Sequence, residues 1–378
     1  MMTDNYDVII IGGGFAGLAI AYQLARRQVD VLLLEASSLG SGASGACAGR
    51  AQVSESHLGH HMDLVLAGLA RLETLETELD SEFEWRRLGN LMLIEHERHW
   101  QWWTDQVAFL QHRGAHAAML SPTDLTEIEP LLVSDRFLGA AWCNEGHLNP
   151  FKFMQAYVKA ARRLGAKVRQ HSPVIDFVHS NGRLATVETA QERVSANIVV
   201  ITAGVWTGEL LRRAGVNLPV QFTHAEAIIS EALPPILNNH IGLADFYETI
   251  HNARRAVSIG VAQQKNGSLL ITEAVEQTKR IHRSNSAWGV PAIAQDLLKL
   301  FPSLASMRLF RAWASPSPFL PDEQPAIGWA PGLDNCFIAT CFHNTITTIP
   351  VLSEIIAGMI LGEQPEMDLS LFNPVRFQ

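Results

Sequence analysis

Within the first 35 residues an apolar β run, Val8-Ile9-Ile10-Ile11, breaks into Gly12-Gly13-Gly14-Phe15-Ala16-Gly17, and an apolar helix follows. Gly12 permits the tight turn, Gly14 lets the backbone approach a pyrophosphate, and Gly17 lets strand and helix pack closely. The helix N-terminus turns free N–H groups toward negative charge. The next strand, Val31 to Leu34, runs into Glu35, eighteen residues past Gly17. A carboxylate there accepts the hydroxyls of an adenosine ribose and disfavours a 2′-phosphate. Strand, turn, helix, strand and acid in that order predict a dinucleotide site. A glycine turn without a ligand is the alternative.

At 378 residues the length suggests two domains, or a nucleotide domain carrying an insertion. A formal net charge of −9 argues against a nucleic-acid or anionic-membrane surface. The longest apolar runs, such as Ile198 to Ala203 and Ile355 to Leu361, are too short to cross a bilayer. No basic region precedes the first strand, so no signal peptide is expected. Cys47, Cys143, Cys336 and Cys341 lack C-x-x-C spacing, and the fifteen histidines show no ligand spacing. No metal site is therefore expected, and a reducing cytoplasm suits the chain. Cys336 and Cys341 read as buried thiols rather than a redox pair.

The stretch from Gly40 to Arg50 is nearly bare of side chains, which suits a loop laid against a cofactor better than a linker. Met62 to Leu79 is amphipathic, Trp85 to Ile94 reads as strands around a Gly89-Asn90 turn, and a helix from His99 to His112 carries Trp100, Trp102 and Trp103. A helix opens at Asn149-Pro150, and Lys167 to Arg169 returns as a strand. Ile198-Val199-Val200-Ile201 is a strand covered on both faces. Antiparallel strands are expected at Gln221 to Ser230, His251 to Gly260 and Ser268 to Glu273. A helix from Ala292 to Leu300, strands at Met307 to Ala314 and Cys336 to Thr340, and a helix from Ile349 to Leu361 complete the chain. Nucleotide-fold elements thus fall at the beginning, middle and end, with antiparallel segments between them.

With Gly42-Ala43-Ser44-Gly45, Gly146-His147-Leu148-Asn149-Pro150, Ala203-Gly204-Val205-Trp206, and Arg311-Ala312-Trp313 leading to Pro321-Asp322, this interleaving resembles the D-amino-acid-oxidase superfamily of FAD enzymes, of the glycine oxidase and sarcosine oxidase type. The resemblance covers nearly the whole chain. It implies an α/β + β fold, in which a discontinuous Rossmann-type FAD-binding domain (1–84, 148–219 and 308–378) carries an inserted antiparallel β-sheet substrate domain (85–147 and 220–307). It implies FAD held by Gly12, Gly14, Phe15, Ala16, Gly17, Glu35 and Ala36, and by Gly42, Ala43, Ser44, Ala48, Gly49 and Arg50. Val174 would lie at the adenine, Ala203, Gly204 and Trp206 along the cofactor, and Phe342, His343, Asn344, Thr345 and Ile346 near the ring. No attachment motif is recognisable, so the FAD is expected to be non-covalent.

The chemistry implied is hydride transfer from a carbon bearing nitrogen to flavin N5, followed by hydrolysis of the imine. Arg50 is the candidate cation beside the flavin, His343 a candidate contact with flavin or substrate, and Tyr247 and His251 candidates for roofing the pocket. Each also reads as ordinary packing or surface, as do His57, His60 and His61. Within the superfamily the chain looks most like the flavin-binding β subunits of multi-subunit dehydrogenases, opine oxidases among them. That likeness implies a secondary amine or amino acid as substrate: an opine such as octopine or nopaline, sarcosine, or a cyclic imino acid. It also implies a larger nucleotide-binding partner subunit and a small iron–sulfur one. FMN and an iron–sulfur cluster would belong to that complex and not to this chain's cysteines.

Two departures stand out. No arginine occurs near Ser317 or in Phe342-His343-Asn344-Thr345, where single-chain relatives clamp a substrate carboxylate, and the last loop, Thr340 to Ile346, has no glycine. They keep two alternatives open: a flavoprotein subunit serving assembly or electron relay without its own catalysis, and an FAD-dependent 2-hydroxy-acid dehydrogenase. The tryptophan helix is expected to offer an aromatic interface to a partner.

Overall fold

The computed structural model describes residues 4–54, 60–251 and 254–378. One layer is a parallel sheet in the order Cys336–Thr340, Arg193–Ile201, Asp4–Ile11, Val31–Leu34 and Lys167–Arg169. Side chains alternate across a strand. Val8 and Ile10 therefore pack under the helices Phe15–Arg26, His60–Leu79, Pro150–Arg163 and Thr345–Ile360, while Ile9 and Ile11 pack on the opposite face. That face is covered by the helix Thr207–Arg213 and the hairpin Val174–Ser180/Arg183–Thr189. Sequence reading finds no strand between Arg169 and Val194. The hairpin's outer residues are polar or exposed, so its apolar signal is confined to a few positions such as Phe177, Leu184 and Val187.

The second layer is an eight-stranded sheet in the order Leu309–Phe319, Gln221–Ala232, Ser268–Gln277, Arg255–Gln263, His240–Leu243, Asn90–Ile94, Gly139–Cys143 and Ala117–Leu120. It is antiparallel except where His240–Leu243 runs parallel to Asn90–Ile94. The helix Gly289–Leu300 covers its outer face through Ile293 and Leu297, against Ile228, Ile259 and Ile271. The strand Leu309–Phe319 pairs along its length with Gln221–Ala232, so a cofactor-domain boundary at 308 leaves out one strand of this roof. Three two-residue strands, Arg50–Ala51, Gly146–His147 and Arg86–Arg87, stitch the layers together.

Three local expectations shift. The strand expected from His251 starts at Arg255, because Phe246–His251 is helical. The last helix starts at Thr345 rather than Ile349. The β-branched run Thr345-Ile346-Thr347-Thr348 disfavours helix locally, and packing of buried Ile346, Thr347 and Thr348 overrides it. Finally, helix Glu97–His112 buries Trp103 and half-buries Trp100 against the core, leaving Trp102, 47% exposed, as its one open tryptophan. The aromatic interface expected of three rings reduces to a single ring, because positions 100, 103 and 107 share the inward face.

Candidate active site

The glycine loop separates residues the fold needs from residues a ligand needs. Gly12 has φ of +117°, and a Cβ there would lie 2.5 Å from the Thr202 carbonyl oxygen. A Cβ on Gly17 would lie 1.9 Å from the Gly12 carbonyl oxygen. Gly14 differs: its φ of −85° suits any residue, and a Cβ would meet only Ser44, at 2.9 Å from the hydroxyl. The open side of Gly14 is the cleft. Phe15 N–H donates to Ser44 Oγ at 3.0 Å, which fastens the small-residue loop to the helix N-terminus. Glu35 accepts from Gly13 N–H at 2.7 Å and Ser37 N–H at 2.8 Å. Those bonds fix the carboxylate and leave acceptor capacity for hydroxyls of a ligand.

At the other side of the cleft, the side chains of Asn344 and Thr347 and the backbone of Gln52 close a triangle. Gln52 N–H donates to Thr347 Oγ1 (2.9 Å), Thr347 Oγ1 donates to Asn344 Oδ1 (2.8 Å), and Asn344 Nδ2 donates to the Gln52 carbonyl (2.7 Å). Asn344 and Cys341 take left-handed φ values of 51° and 56°. Asparagine tolerates that conformation better than most residues. The loop therefore makes its turn without glycine, because Asn344 is held by its own side chain. Trp313 Nε1 donates to the Ala46 carbonyl at 3.0 Å, tying the roof to the small-residue loop.

Arg50 stands at the inner end, in a buried polar cluster. Its Nη2 donates to Asn90 Oδ1 at 3.4 Å, and His240 Nδ1–H donates to the same oxygen at 2.7 Å. Asn90 Nδ2 donates to Ser54 Oγ at 2.9 Å, and Glu145 accepts from Val53 N–H at 2.7 Å. His147 Nε2–H donates to the Ala48 carbonyl at 2.9 Å. Burial, helped by Arg86 and Arg50, pushes the His147 pKa down to about 4. Burial, with Arg50 and His147 nearby, holds His240 well below the usual imidazole range. Burial raises the Glu145 carboxyl against the opposing pull of Arg50. The histidines are thus neutral, and Arg50, with Arg86 on the far side of His147, supplies the positive charge of this end.

Both layers face one cleft of about 1780 Å³. A single small-molecule site occupies about 300–1,000 Å³, so the space suits a dinucleotide and a substrate together. Every residue expected to hold the cofactor lines it except Gly17, which is buried beneath the loop. Arg50 and His343 line it as well. Phe246 lines it from the helix Phe246–His251, but the side chains of Tyr247 and His251 lie outside the described residues, as do His57 and the side chains of His60 and His61. Sequence reading missed Ser37, Ser172 and Pro173 near Glu35, the roof residues Thr272, Gln277 and Trp313, and the cations Arg254, Lys279, Arg280 and Arg283. Alternation along Leu309–Phe319 would have put Trp313, Ser315 and Ser317 on one face. Nothing local signals which loop residues meet across the cleft.

Among the described residues no group of His, Cys, Asp and Glu could hold a metal ion, and no helix is long and apolar enough to cross a membrane. All four cysteines are free. Burial pushes Cys47 up to about 11 and Cys336 and Cys341 up to about 12.

A glycine cradle open at Gly14, an anchored carboxylate at the end of the second strand, and a roof closing the same cleft define a dinucleotide-dependent enzyme of the flavin type. Residues 7–359 match the family described as FAD dependent oxidoreductase, and the chain belongs to that family. It is 27% identical over 390 residues to glycine oxidase of Geobacillus kaustophilus, covering 99% of this chain and 98% of that protein. It is 24% identical to hydrogen cyanide synthase subunit HcnC of Pseudomonas aeruginosa, covering 100% of this chain and 97% of that one. The crystal structure of the Geobacillus kaustophilus glycine oxidase superposes with a TM-score of 0.89 at 24% identity, covering 99% of each chain, and so has the same fold. The cofactor is FAD, and the cradle fits it: Gly14 leaves room for the pyrophosphate and Glu35 for the ribose.

Glu35→Ala should weaken FAD without destroying the fold. Hydrogen bonds to a charged acceptor contribute about 1.5–3 kcal/mol each, which is roughly a ten- to hundredfold rise in Kd. Flavin fluorescence on dilution of the holoprotein measures it. An unchanged Kd would remove Glu35 from the site.

Proposed function

We propose that the protein oxidises the C–N bond of a secondary amine or amino acid, such as an opine, sarcosine or a cyclic imino acid, as the flavin-bearing β subunit of a heteromeric dehydrogenase. The observation that carries this reading is the shared cleft, because a small substrate under Trp313 and Thr272 lies against the loop that receives the cofactor ring. Bound FAD supplies a two-electron acceptor. The chain's own residues orient the substrate and exclude water. Trp313 walls the cleft, Arg50 sets positive charge at its inner end, and His343 reaches in from the last loop. His147 and His240, kept neutral by burial, add no competing charge around Arg50. The imine is released and hydrolysed in water.

The relatives' names support the substrate class and the assembly. One names glycine as substrate, and another is itself a subunit. The roof offers Ser315 and Ser317 where an arginine clamp would stand, which favours a substrate other than a simple free amino acid. In this reading FMN and an iron–sulfur cluster reside in partner chains, and FAD is non-covalent.

The purified protein should be yellow, should release its flavin into the supernatant on acid precipitation, and should reduce a dye anaerobically with a member of an amine and opine panel. Co-purification from the native host should bring down one or two further chains. Flavin left in the pellet would overturn the non-covalent assignment. Full-rate peroxide production by the chain alone would overturn the subunit reading. Reduction by 2-hydroxy acids and by no amine would overturn the C–N reading.

A further inference from the structure

The cleft has a second pole. Its mouth carries Arg254, Lys279, Arg280 and Arg283, on a chain whose net charge is −9. Lys279, Arg280 and Arg283 stand on the segment joining the strand Ser268–Gln277 to the helix Gly289–Leu300. All three are exposed, and among the described residues none pairs with a carboxylate. Arg254 comes only to 3.9 Å from Glu276, which Arg255 engages at 3.1 Å.

The segment is anchored rather than trailing. Asn285 Nδ2 and Ser286 N–H both donate to the Glu226 carboxylate at 3.0 Å, and Glu226 is 1% exposed. A Cβ at Gly289 would lie 2.6 Å from that carboxyl carbon, so a glycine lets the segment close on it. His282 stacks on buried His224, with ring centroids 4.0 Å apart. Arg283 lies over the Trp206 ring, 5.6 Å from its centroid, on the opposite wall of the cleft. Arg283 is therefore held across the mouth, and Lys279 and Arg280 line the cleft from the same anchored segment. Between them and Arg50 the roof presents the uncharged Thr223, Ser315, Ser317 and Thr272, and of its carboxylates Glu226 is engaged by Asn285 and Ser286, Glu276 by Arg255, and Glu273 is not free either.

We propose that the anchored segment binds a second anionic group of the substrate, a carboxylate remote from the oxidised bond. The substrate class is then a dicarboxylic secondary amine of the N-carboxyalkyl amino-acid type. Positive charge at the buried end and at the exposed mouth of one cleft matches an anion at each, and cleft walls of low dielectric focus the field of the mouth. A monocarboxylate would satisfy one pole only. The substrate class rests on the amine-oxidation reading above, whereas the anion site can be tested without turnover.

The probe is flavin absorbance of the holoprotein titrated with succinate, glutarate and adipate, and with butyrate, valerate and hexanoate. The same titrations are made on K279Q/R280Q/R283Q. A diacid should bind about tenfold tighter than the monoacid of its length. The preference should shrink with added salt and fall to about twofold or less in the triple variant, with flavin content unchanged. A wild type without diacid preference, or a preference that survives in the variant, overturns the proposal. Loss of flavin together with the preference also overturns it, because it assigns the cations to the cofactor's phosphates. If diacids bind as expected but no dicarboxylic amine reduces the flavin, the anion site stands and the amine reading fails.

Discussion

Gly14→Val should give a folded, colourless protein, and Gly17→Val should give no stable fold. The two glycines sit three positions apart and look alike in sequence. A side chain at Gly17 would be driven into the Gly12 carbonyl, a backbone group with no flexible end to yield. The helix Phe15–Arg26, in whose first turn it sits, carries Leu18, Ile20 and Leu24, all fully buried, so it cannot move away without opening the main core. Overpacking that cannot relax costs upward of about 1–3 kcal/mol, a large share of a typical stability of about 5–15 kcal/mol. At Gly14 the neighbour is the Ser44 hydroxyl, which can turn aside. Valine there fills only the space of the pyrophosphate. Circular dichroism and the flavin-to-protein absorbance ratio separate the two outcomes. Wild-type flavin content in Gly14→Val would sink the placement of the cofactor.

Acid should weaken the fold between about pH 6.5 and 4. His147 and His240 are buried and neutral, with folded pKa values below that of an exposed imidazole, and His224 is shifted the same way by burial and the neighbouring His282. A depressed histidine pKa means that the unfolded chain binds the proton first. The stability is fully present above about pH 6.5 and is lost as pH falls toward the folded value. For His147 the span from 6.5 to about 4, at about 1.4 kcal/mol per pH unit, is roughly 3 kcal/mol. Glu145, whose carboxyl is raised by burial, acts in the opposite direction. The clean readout is therefore a difference between variants. His147→Gln should flatten the pH dependence of urea unfolding by close to one proton, whatever it does to stability at pH 7. An identical slope in both proteins would mean that His147 is charged in the fold.

The cofactor end of the molecule was legible because its signals are local. Gly12, Gly14, Gly17 and Glu35 act within one strand–turn–helix–strand unit, and the bare stretch from Gly40 to Gly49 announces close approach by its composition. The substrate end was not, because its geometry comes from distant residues. Nothing near Asn90 tells that it will share its side-chain oxygen with His240 and Arg50. The loop after Thr340 looked defective without glycine, yet Asn344 borrows Gln52 and Thr347 to hold a left-handed turn of its own. The cations at 279–283 carried no periodic pattern, and only the anchoring to Glu226 and Trp206 gives them a place.

The roof has an awkward pedigree for anyone who would re-engineer it. Its eight strands are drawn from three separated stretches of chain, between 90 and 143, between 221 and 277, and between 309 and 319. Its pairings join residues such as His240 and Asn90 at the centre, or Gln221 and Phe319 at one edge, that are far apart in sequence. Any contiguous fragment that contains the whole sheet, from Asn90 to Phe319, also carries Pro150–Arg163, Lys167–Arg169 and Arg193–Ile201 of the cofactor layer, so the sheet cannot be excised by itself or exchanged as a single cassette. Transplanting the substrate preference of a relative would require all three stretches to be grafted together, each in its own register, because a slip of one residue turns every cleft-facing side chain away from the substrate.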